Sequence, residues 1–389
     1  MARPDALRSG HTVVIALAAF VALGLPDGML GVAWPSMRGT FGQPLAALGL
    51  VLLGLTCGYL AASAASGFVE VRLGTAAVLM AGLAASAVGT LAFATAPSWP
   101  LLVLAAFFLG LGAGSVDAGA NAYVALEHGV APLNLLHAGY GLGAALGPAV
   151  MTVLLAAGLV WRLAYAGMVA VELALLVAVG STWRSWSVTR RRPALSSKPG
   201  VAVPLALVAA SLAMFFVYTG VEMGAGQWSY TFLTAARAVP GPAAGLAVSG
   251  YWAGLTIGRL AGYATGERLG PLRLLHVSVA VSVAAVAIYW SARSPLAAMA
   301  ALAATGVGLG PIFPSLVALT PIRVGEAAAS RIVGLQVAVA SAGGSLGPAA
   351  VGVVLQGKGP GLLPLCLAAG AAILLALHVV TSVAVRERR

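Results

Sequence analysis

Apolar residues follow one another in long stretches along this chain, and short polar segments separate the stretches. A helix needs about 20 apolar residues to cross the hydrocarbon core of a bilayer. Twelve stretches reach that length, so the pattern predicts twelve membrane-spanning helices, which we number as spans 1 to 12. Their bounds lie near 11–37, 44–66, 73–96, 99–125, 131–158, 160–181, 203–231, 241–266, 272–290, 295–320, 329–356 and 361–382.

The widest break in the apolar pattern follows span 6, where five basic residues stand among several serines and prolines. This break predicts an N-terminal six-helix bundle over 1–181, a cytoplasmic basic linker over 182–203 and a C-terminal six-helix bundle over 204–389. The basic residues of the break are Arg184, Arg190, Arg191, Arg192 and Lys198.

Composition agrees with a membrane protein and excludes a soluble one. Apolar residues make up 60% of the 389 positions and charged residues 8%, which is too little charge to cover a water-facing surface. Span 1 is too long for a cleaved signal peptide, so we interpret it as a membrane helix. The two cysteines, Cys57 and Cys366, lie in separate apolar stretches and form neither a disulfide framework nor a thiolate zinc site.

The net charge of +11 is explained by membrane topology and needs no nucleic-acid partner. If both termini are cytoplasmic, 15 basic residues fall on the cytoplasmic side and five on the other side, and Arg259 remains inside span 8. Cytoplasmic loops of membrane proteins carry an excess of Lys and Arg. We therefore expect a multi-pass protein of the inner (plasma) membrane with both termini in the cytoplasm.

Short motifs of the first half recur in the second half in the same order. Two recurrences are offset by 200 residues and two by 196, which predicts two parallel six-helix halves. The matching segments are Gly54–Leu60 with Gly254–Leu260, Arg72–Gly74 with Arg268–Gly270, Gly110–Gly114 with Gly306–Gly310, and Gly143–Pro148 with Gly343–Pro348.

Twelve spans, a basic central loop and two parallel halves resemble the major facilitator superfamily. Its acidic-basic loop signature appears here in degraded form, around Glu70 and Arg72 and again around Glu267 and Arg268. Within the superfamily the chain most resembles the fucose:proton symporter family and its sodium–glucose relatives. The residues that carry this likeness are Gly24–Gly28, Gly31, Trp34 and Pro35 in span 1, Gly112, Asp117, Gly119 and Asn121 in span 4, Asn134, His137 and Gly139–Gly141 in span 5, Tyr218, Gly220, Glu222 and Trp228 in span 7, and Pro311–Pro314 in span 10.

The resemblance implies an all-α membrane fold of two pseudo-symmetric six-helix bundles, with spans 1, 4, 7 and 10 lining a central cavity. It also implies that Asp27 and Asp117 match acids that the fucose symporters use for proton coupling and sugar binding. The alternative is that these acids only hydrogen-bond neighbouring helices, since Asp117 and Asn121 are four residues apart on one helix.

Acidic residues inside spans are the best functional candidates, because an uncompensated carboxylate in hydrocarbon is costly. Besides Asp27 and Asp117, the spans contain Glu172 and Glu222. Glu222 is a candidate for binding substrate hydroxyls or a cation, whereas we expect Glu172 to be structural because span 6 is peripheral in the resembled fold. Arg259 is either a counter-ion of a cavity acid or a side chain that snorkels to the interface.

The complete predicted site combines coupling, binding and gating residues. For His137 a hydrogen-bonding role is favoured over a proton relay, and Trp228 fits an interfacial position at least as well as a binding one. The predicted coupling residues are Asp27 and Asp117; the predicted substrate-binding residues are Asp27, Asp117, Asn121, Asn134, His137, Tyr218, Glu222, Gln227, Trp228 and Phe313; the predicted gating residues and charge partners are Arg72, Arg259, Glu267 and Arg268.

These features favour a secondary active transporter that imports a sugar or similar polar solute by proton-coupled symport and alternating access. A proton-driven exporter of a drug or metabolite is the alternative, and a channel or receptor on the same fold is a third. An enzyme is not expected, because the G-x-S-x-G match at Gly343–Gly347 lies inside a predicted span. We expect a monomer with a small-molecule substrate and the lipid bilayer as partners, no metal or cofactor, and H⁺ as the coupling ion, with Na⁺ as the alternative.

Overall fold

The structure is a computed structural model that describes residues 4–128, 130–186 and 205–386. In these ranges the chain forms twelve α-helices joined by short turns, and no strand occurs. Most of the predicted linker, from residue 187, lies outside the described residues. The helices are α1 Pro4–Phe41, α2 Leu48–Leu73, α3 Thr75–Thr95, α4 Trp99–Glu127, α5 Val130–Ala156, α6 Arg162–Ser181, α7 Leu205–Arg237, α8 Gly241–Ser291, α9 Pro295–Leu309, α10 Ile312–Val324, α11 Glu326–Lys358 and α12 Leu363–Arg386.

Eleven candidate membrane spans are present in the described ranges, against twelve predicted. The difference lies in α8, which holds predicted spans 8 and 9 on the two sides of Gly270. Gly270 has φ 70° and ψ 158°, and Gly74, between α2 and α3, has nearly the same values of 85° and 166°. Only glycine adopts this conformation readily. The two parts of α8 therefore correspond to α2 and α3, with the same turn between them.

Predicted span 10 is a single candidate span, Pro295–Val324, in which the helix is interrupted between α9 and α10. The interruption contains Gly310 and Pro311. Proline has no backbone N–H to donate to an uninterrupted helix. The helix therefore stops before Pro311, and α10 begins at Ile312. The corresponding helix of the first half, α4, has no proline at this level and runs without a break.

The chain divides into two compact units. The first consists of Met1–Gln43 and Leu50–Arg192, and its main packing pairs are α1 with α5 and α3 with α4 and α6. The second consists of Pro44–Gly49 and Pro193–Arg389, where α7 packs on α11 and α12, and α8 packs on α9. Each unit thus has its own helical core.

Glycines set the closest helix contacts in the first unit. A methyl group added at Gly58 of α2 would collide with the carbonyl oxygen of Phe107 in α4, and one added at Gly110 of α4 would collide with the carbonyl oxygen of Leu55 in α2. Helices in lipid associate mainly by such close backbone packing, because burial of apolar surface from water is not available as a driving force.

The second unit repeats these contacts residue for residue. Gly258 lies against Val307 just as Gly58 lies against Phe107. Both residues of the second contact are 200 positions after their counterparts in the first. Gly143 of α5 lies against Val21 of α1, and Gly343 of α11 lies against Phe216 of α7. Positions on α1 and α7 are therefore offset by 195. The packing therefore makes two pairs of positions equivalent: Asp27 of α1 with Glu222 of α7, and Tyr59 of α2 with Arg259 of α8.

Candidate functional site

Asp117 lies on α4 and is held by two hydrogen bonds from neutral donors. The Tyr59 hydroxyl of α2 donates to Oδ2 at 2.7 Å, and the Asn121 amide, one turn further along α4, donates to Oδ1 at 3.0 Å. Tyr59 reaches Asp117 because Gly114 of α4 lies directly against the backbone of Tyr59. The predicted pairing of Asp117 with Asn121 is present, together with a tyrosine that the sequence did not single out.

Asp27 lies on α1 next to Pro26, between two glycines that lie against α5. The Tyr140 hydroxyl of α5 donates to its Oδ2 at 2.6 Å. Gly24 and Gly28 face the α5 backbone without a side chain, and a methyl group at either would collide with a carbonyl oxygen of α5. The close approach of α1 and α5 therefore brings the Tyr140 hydroxyl within hydrogen-bonding distance of the Asp27 carboxylate.

Glu222 of α7 forms an ion pair with Arg259 of α8, with Nη2 and Oε1 3.2 Å apart. The side chains are 9% and 26% exposed, respectively, so the pair is largely shielded from solvent. The Tyr251 hydroxyl of α8 donates to the backbone carbonyl of Glu222 at 2.7 Å and fixes the glutamate-bearing turn of α7. Glu222 is thus neutralised by a guanidinium, in contrast to Asp117.

Tyr218 lies one helical turn before Glu222 and is fully buried. Its hydroxyl interacts electrostatically with both Glu222 and Arg259. The Phe313 ring of α10 lies 6.2 Å from the Tyr218 ring and 5.2 Å from the Phe215 ring. The second unit therefore places an aromatic cluster beside its ion pair, an arrangement that can bind an apolar surface and a polar group of the same solute.

The remaining predicted binding residues have different surroundings. His137 is exposed on α5, with its ring edge-to-face with Phe20 at 5.7 Å, and it interacts electrostatically with Asp117. Asn134 is partly exposed one turn earlier. Gln227 and Trp228 are fully buried in α7, and the Trp228 indole N–H donates to the Pro348 carbonyl of α11 at 2.8 Å. The donor of Trp228 is therefore engaged in helix packing.

The predicted gating residues lie in the last turn of α2 and inside α8. Arg72 is exposed and stacks on the Phe68 ring at 3.8 Å, whereas the nearby Glu70 accepts a hydrogen bond from Thr75 at 2.9 Å. Glu267 and Arg268 are exposed just before Gly270. Arg259, predicted as a charge partner, is the member of this set that contacts a membrane acid.

Glu172 of α6 is hydrogen-bonded away from the other acids. It accepts from the hydroxyls of Ser86 at 2.5 Å and Thr90 at 3.0 Å, both on α3. Its contacts thus join two helices of the same unit, as expected for a structural residue. Among the described residues, no group of three or more His, Cys, Asp or Glu side chains is placed to hold a metal ion.

Tyr59 is the main residue of the site that sequence analysis passed over. A signal for it existed in the repeated motif, where Tyr59 of Gly54–Leu60 matches Arg259 of Gly254–Leu260. Both side chains bind a membrane acid in their own unit, one as a neutral donor and the other as a cation. The repeat therefore marked a position that contacts an acid in both halves.

Several solved structures with similar folds are transporters, while a search of curated proteins finds no match. The nucleoside transporter NupG has a TM-score of 0.76 at 13% identity, covering 96% of this chain and 99% of its own. The D-xylose–proton symporter has 0.72 at 12%, covering 94% and 96%. The Escherichia coli fucose:proton symporter FucP has 0.62 at 18%, covering 95% and 98%. At these identities the similarity establishes the fold.

The family assignment comes from the sequence match. The family model described as Major Facilitator Superfamily matches residues 16–348, which include the acids of α1, α4 and α7 and both copies of the glycine contacts. This match extends over most of both units. The chain belongs to the Major Facilitator Superfamily.

Proposed function

We propose that this protein is a secondary active transporter of the inner membrane that imports a sugar or similar small polar solute together with protons. The observation that carries the proposal is that the membrane acids of the two units have different kinds of partner. The acid of α4 is held by neutral donors, Tyr59 and Asn121, whereas in the second unit Arg259, at the position equivalent to Tyr59, pairs with Glu222 of α7.

The two arrangements have different electrostatic requirements. A carboxylate that changes its exposure across a membrane carries a costly charge unless a cation or a proton neutralises it. Glu222 already has a cation, so its pair is neutral without a proton. Asp117 has a hydroxyl and an amide as hydrogen-bonding partners, and a bound proton neutralises it without disrupting the Asn121 contact at the other oxygen. Asp27 and Asp117 are therefore the coupling sites of the proposal.

The proposed solute class follows from the groups that lie beside the membrane acids within each unit. Tyrosine hydroxyls and carboxylates bind sugar hydroxyls, and the rings of Tyr218 and Phe313 supply a face for C–H surfaces. Glu222, Arg259 and Tyr218 are assigned to the solute in this proposal. The names of the similar solved structures, a fucose:proton symporter, a D-xylose–proton symporter and a nucleoside transporter, support a polar solute of sugar type.

Transport by the purified protein in liposomes tests this proposal. The probes are radiolabelled L-fucose, D-xylose and uridine, measured under an imposed pH gradient and as exchange across the membrane without a gradient. We expect Asp27→Asn and Asp117→Asn to abolish gradient-driven accumulation and to retain exchange of the same probe. Glu172→Gln is the matched control, because it also removes a buried carboxylate but one bonded to α3, and we expect it to keep both activities.

Three outcomes would contradict the proposal. One is the absence of exchange for every probe, and another is gradient-driven accumulation that survives both aspartate substitutions. The third is accumulation driven by a sodium gradient alone, which would replace the proton with Na⁺ as the coupling ion. Proton-dependent extrusion of a lipophilic cation by the same liposomes would instead identify an exporter.

A further inference from the structure

A small cavity lies in the second unit, and neither Glu222 nor Arg259 lines it. Its volume is about 230 Å³, and it is formed by the turn that follows Gly270, the last turns of α10 and the last turns of α12. The polar residues that line it are Arg273, Arg323, Thr381 and Ser382. The basic residues of the chain predict that this end of the unit is cytoplasmic.

Arg323 is the most unusual group of the cavity. Its residue is 6% exposed, and the buried Nη1 has no hydrogen-bond partner. No carboxylate of a described residue forms an ion pair with it. A buried guanidinium nitrogen without an acceptor is costly, because the protein does not replace the hydrogen bond that water would supply. Such a group points to a ligand that supplies the missing acceptor.

A second polar group of the cavity also lacks a partner. The Ser382 hydroxyl is buried and makes no hydrogen bond within the described structure, whereas the neighbouring Thr381 donates to the Leu377 carbonyl at 2.9 Å. Arg273, exposed at the start of the second part of α8, adds another positive charge to the lining. The cavity therefore combines two guanidinium groups with the hydroxyls of Thr381 and Ser382, and none of the described residues that line it is acidic.

We propose that this cavity binds a phosphate group. A guanidinium presents parallel N–H donors that match phosphate oxygens, and a serine hydroxyl adds a further donor. The volume is below the roughly 300–1,000 Å³ of pockets that enclose drug-sized ligands, which suits a small anion. The phosphate comes either from the headgroup of an anionic lipid or from a soluble phosphate. The proposal is independent of the transported solute.

The test uses the full-length protein purified in a neutral detergent. Thermal unfolding is followed while one of two probes is titrated: inorganic phosphate, or lysophosphatidic acid with lysophosphatidylcholine as the zwitterionic lipid control. Potassium chloride of matched ionic strength corrects for screening. Because a ligand that binds only the folded protein raises the Tm, we expect at least one phosphate probe to do so, and the chloride and the zwitterionic lipid not to.

Variants connect this effect to the cavity. Arg323→Gln is expected to lower the affinity for the phosphate probe by about tenfold or more, which is the typical effect of losing a hydrogen bond to a charged group. Ser382→Ala is expected to lower this affinity by a smaller factor. Arg293→Gln is the matched control, because it removes an exposed arginine that follows the other end of α8, and we expect this variant to bind the probe with wild-type affinity.

Each outcome decides the proposal or its source. A shift with lysophosphatidic acid alone identifies a lipid headgroup, and an equal response to inorganic phosphate identifies a soluble ligand. No shift with either probe, or an unchanged affinity in Arg323→Gln, overturns the proposal. If Arg323→Gln does not fold, Arg323→Lys retains the charge without the planar fork, and unchanged phosphate affinity in that variant and in Ser382→Ala overturns the proposal equally.

Discussion

Glu222 and Arg259 show at the scale of single residues how a charge is tolerated inside this chain. The charge of each side chain compensates the charge of the other, because removing one partner leaves a shielded charge without compensation. We expect Glu222→Gln or Arg259→Gln alone to destabilise the protein by about 2–3 kcal/mol, at or below the low end of the roughly 3–5 kcal/mol for buried pairs, because Arg259 is 26% exposed. The double substitution is expected to cost less than the sum of the two.

Thermal unfolding of the two single variants and the double variant measures this coupling. Glu267→Gln and Arg268→Gln form the control pair, because these neighbouring charges are exposed and their effects should be small and additive. Additive losses at Glu222 and Arg259 would contradict an energetically coupled pair.

The acids of the site were predictable from sequence, but most of their partners were not. A carboxylate is rare in an apolar span, so Asp27, Asp117 and Glu222 stand out without any structure. Tyr140 stands in the Gly139–Gly141 motif that carries the family resemblance, but neither its bond to Asp27 nor the bond of Tyr59 to Asp117 follows from the sequence, because each bond depends on which helix lies alongside. That neighbour relation is set by glycines such as Gly114, whose contacts become visible only when the helices are packed.

At the scale of elements, glycine contacts determine which helices pack closely. Gly58 and Gly67 lie on the same helix, α2, but an added methyl group would meet the α4 backbone at Gly58 and nothing within 4 Å at Gly67. We expect Gly58→Ala to destabilise the protein by about 1–3 kcal/mol through overpacking. Gly67→Ala is expected to be neutral or to stabilise by up to about 1 kcal/mol, because alanine is the better helix former. The measurement is the Tm of each variant.

The second unit offers the same experiment at equivalent positions. Gly258→Ala meets Val307 of α9, whereas Gly266→Ala has nothing within 4 Å. We expect the first to lower the Tm and the second to leave it unchanged, as for α2. A neutral result at both Gly58 and Gly258 would show that the close contacts do not limit the packing of either unit.

The helix pattern was predicted more completely than its interruptions. Apolar length predicts where a span lies, and nearly every predicted span falls within one helix. It does not predict that spans 8 and 9 meet at a single residue, Gly270, or that span 10 is interrupted at Gly310 and Pro311. Those features depend on backbone conformation at one or two positions, whereas hydropathy averages over about 20.

At the scale of the whole molecule, the two units repeat one packing plan with different polar contents. The equivalent positions Asp27 and Glu222 are both acidic, but Tyr140 binds the first and Arg259 binds the second. Equivalent helices can carry different chemistry because the glycine contacts, which fix the backbone, do not involve these side chains. This separation supports the proposed assignment of proton coupling to one unit and a neutral ion pair to the other.

The orientation of the chain in the membrane is a prediction from the distribution of basic residues, and two arginines at opposite ends of the same helix segment test it. Arg273 and Arg293 are both exposed and flank the second part of α8, with Arg273 predicted inside and Arg293 outside. In a background of Cys57→Ser and Cys366→Ser, we expect a membrane-impermeant maleimide to label Arg293→Cys in intact cells. Arg273→Cys should be labelled only after the cells are opened, because the positive-inside rule places its end of α8 in the cytoplasm. The reverse pattern would invert the topology and would place the proposed phosphate cavity on the outer side.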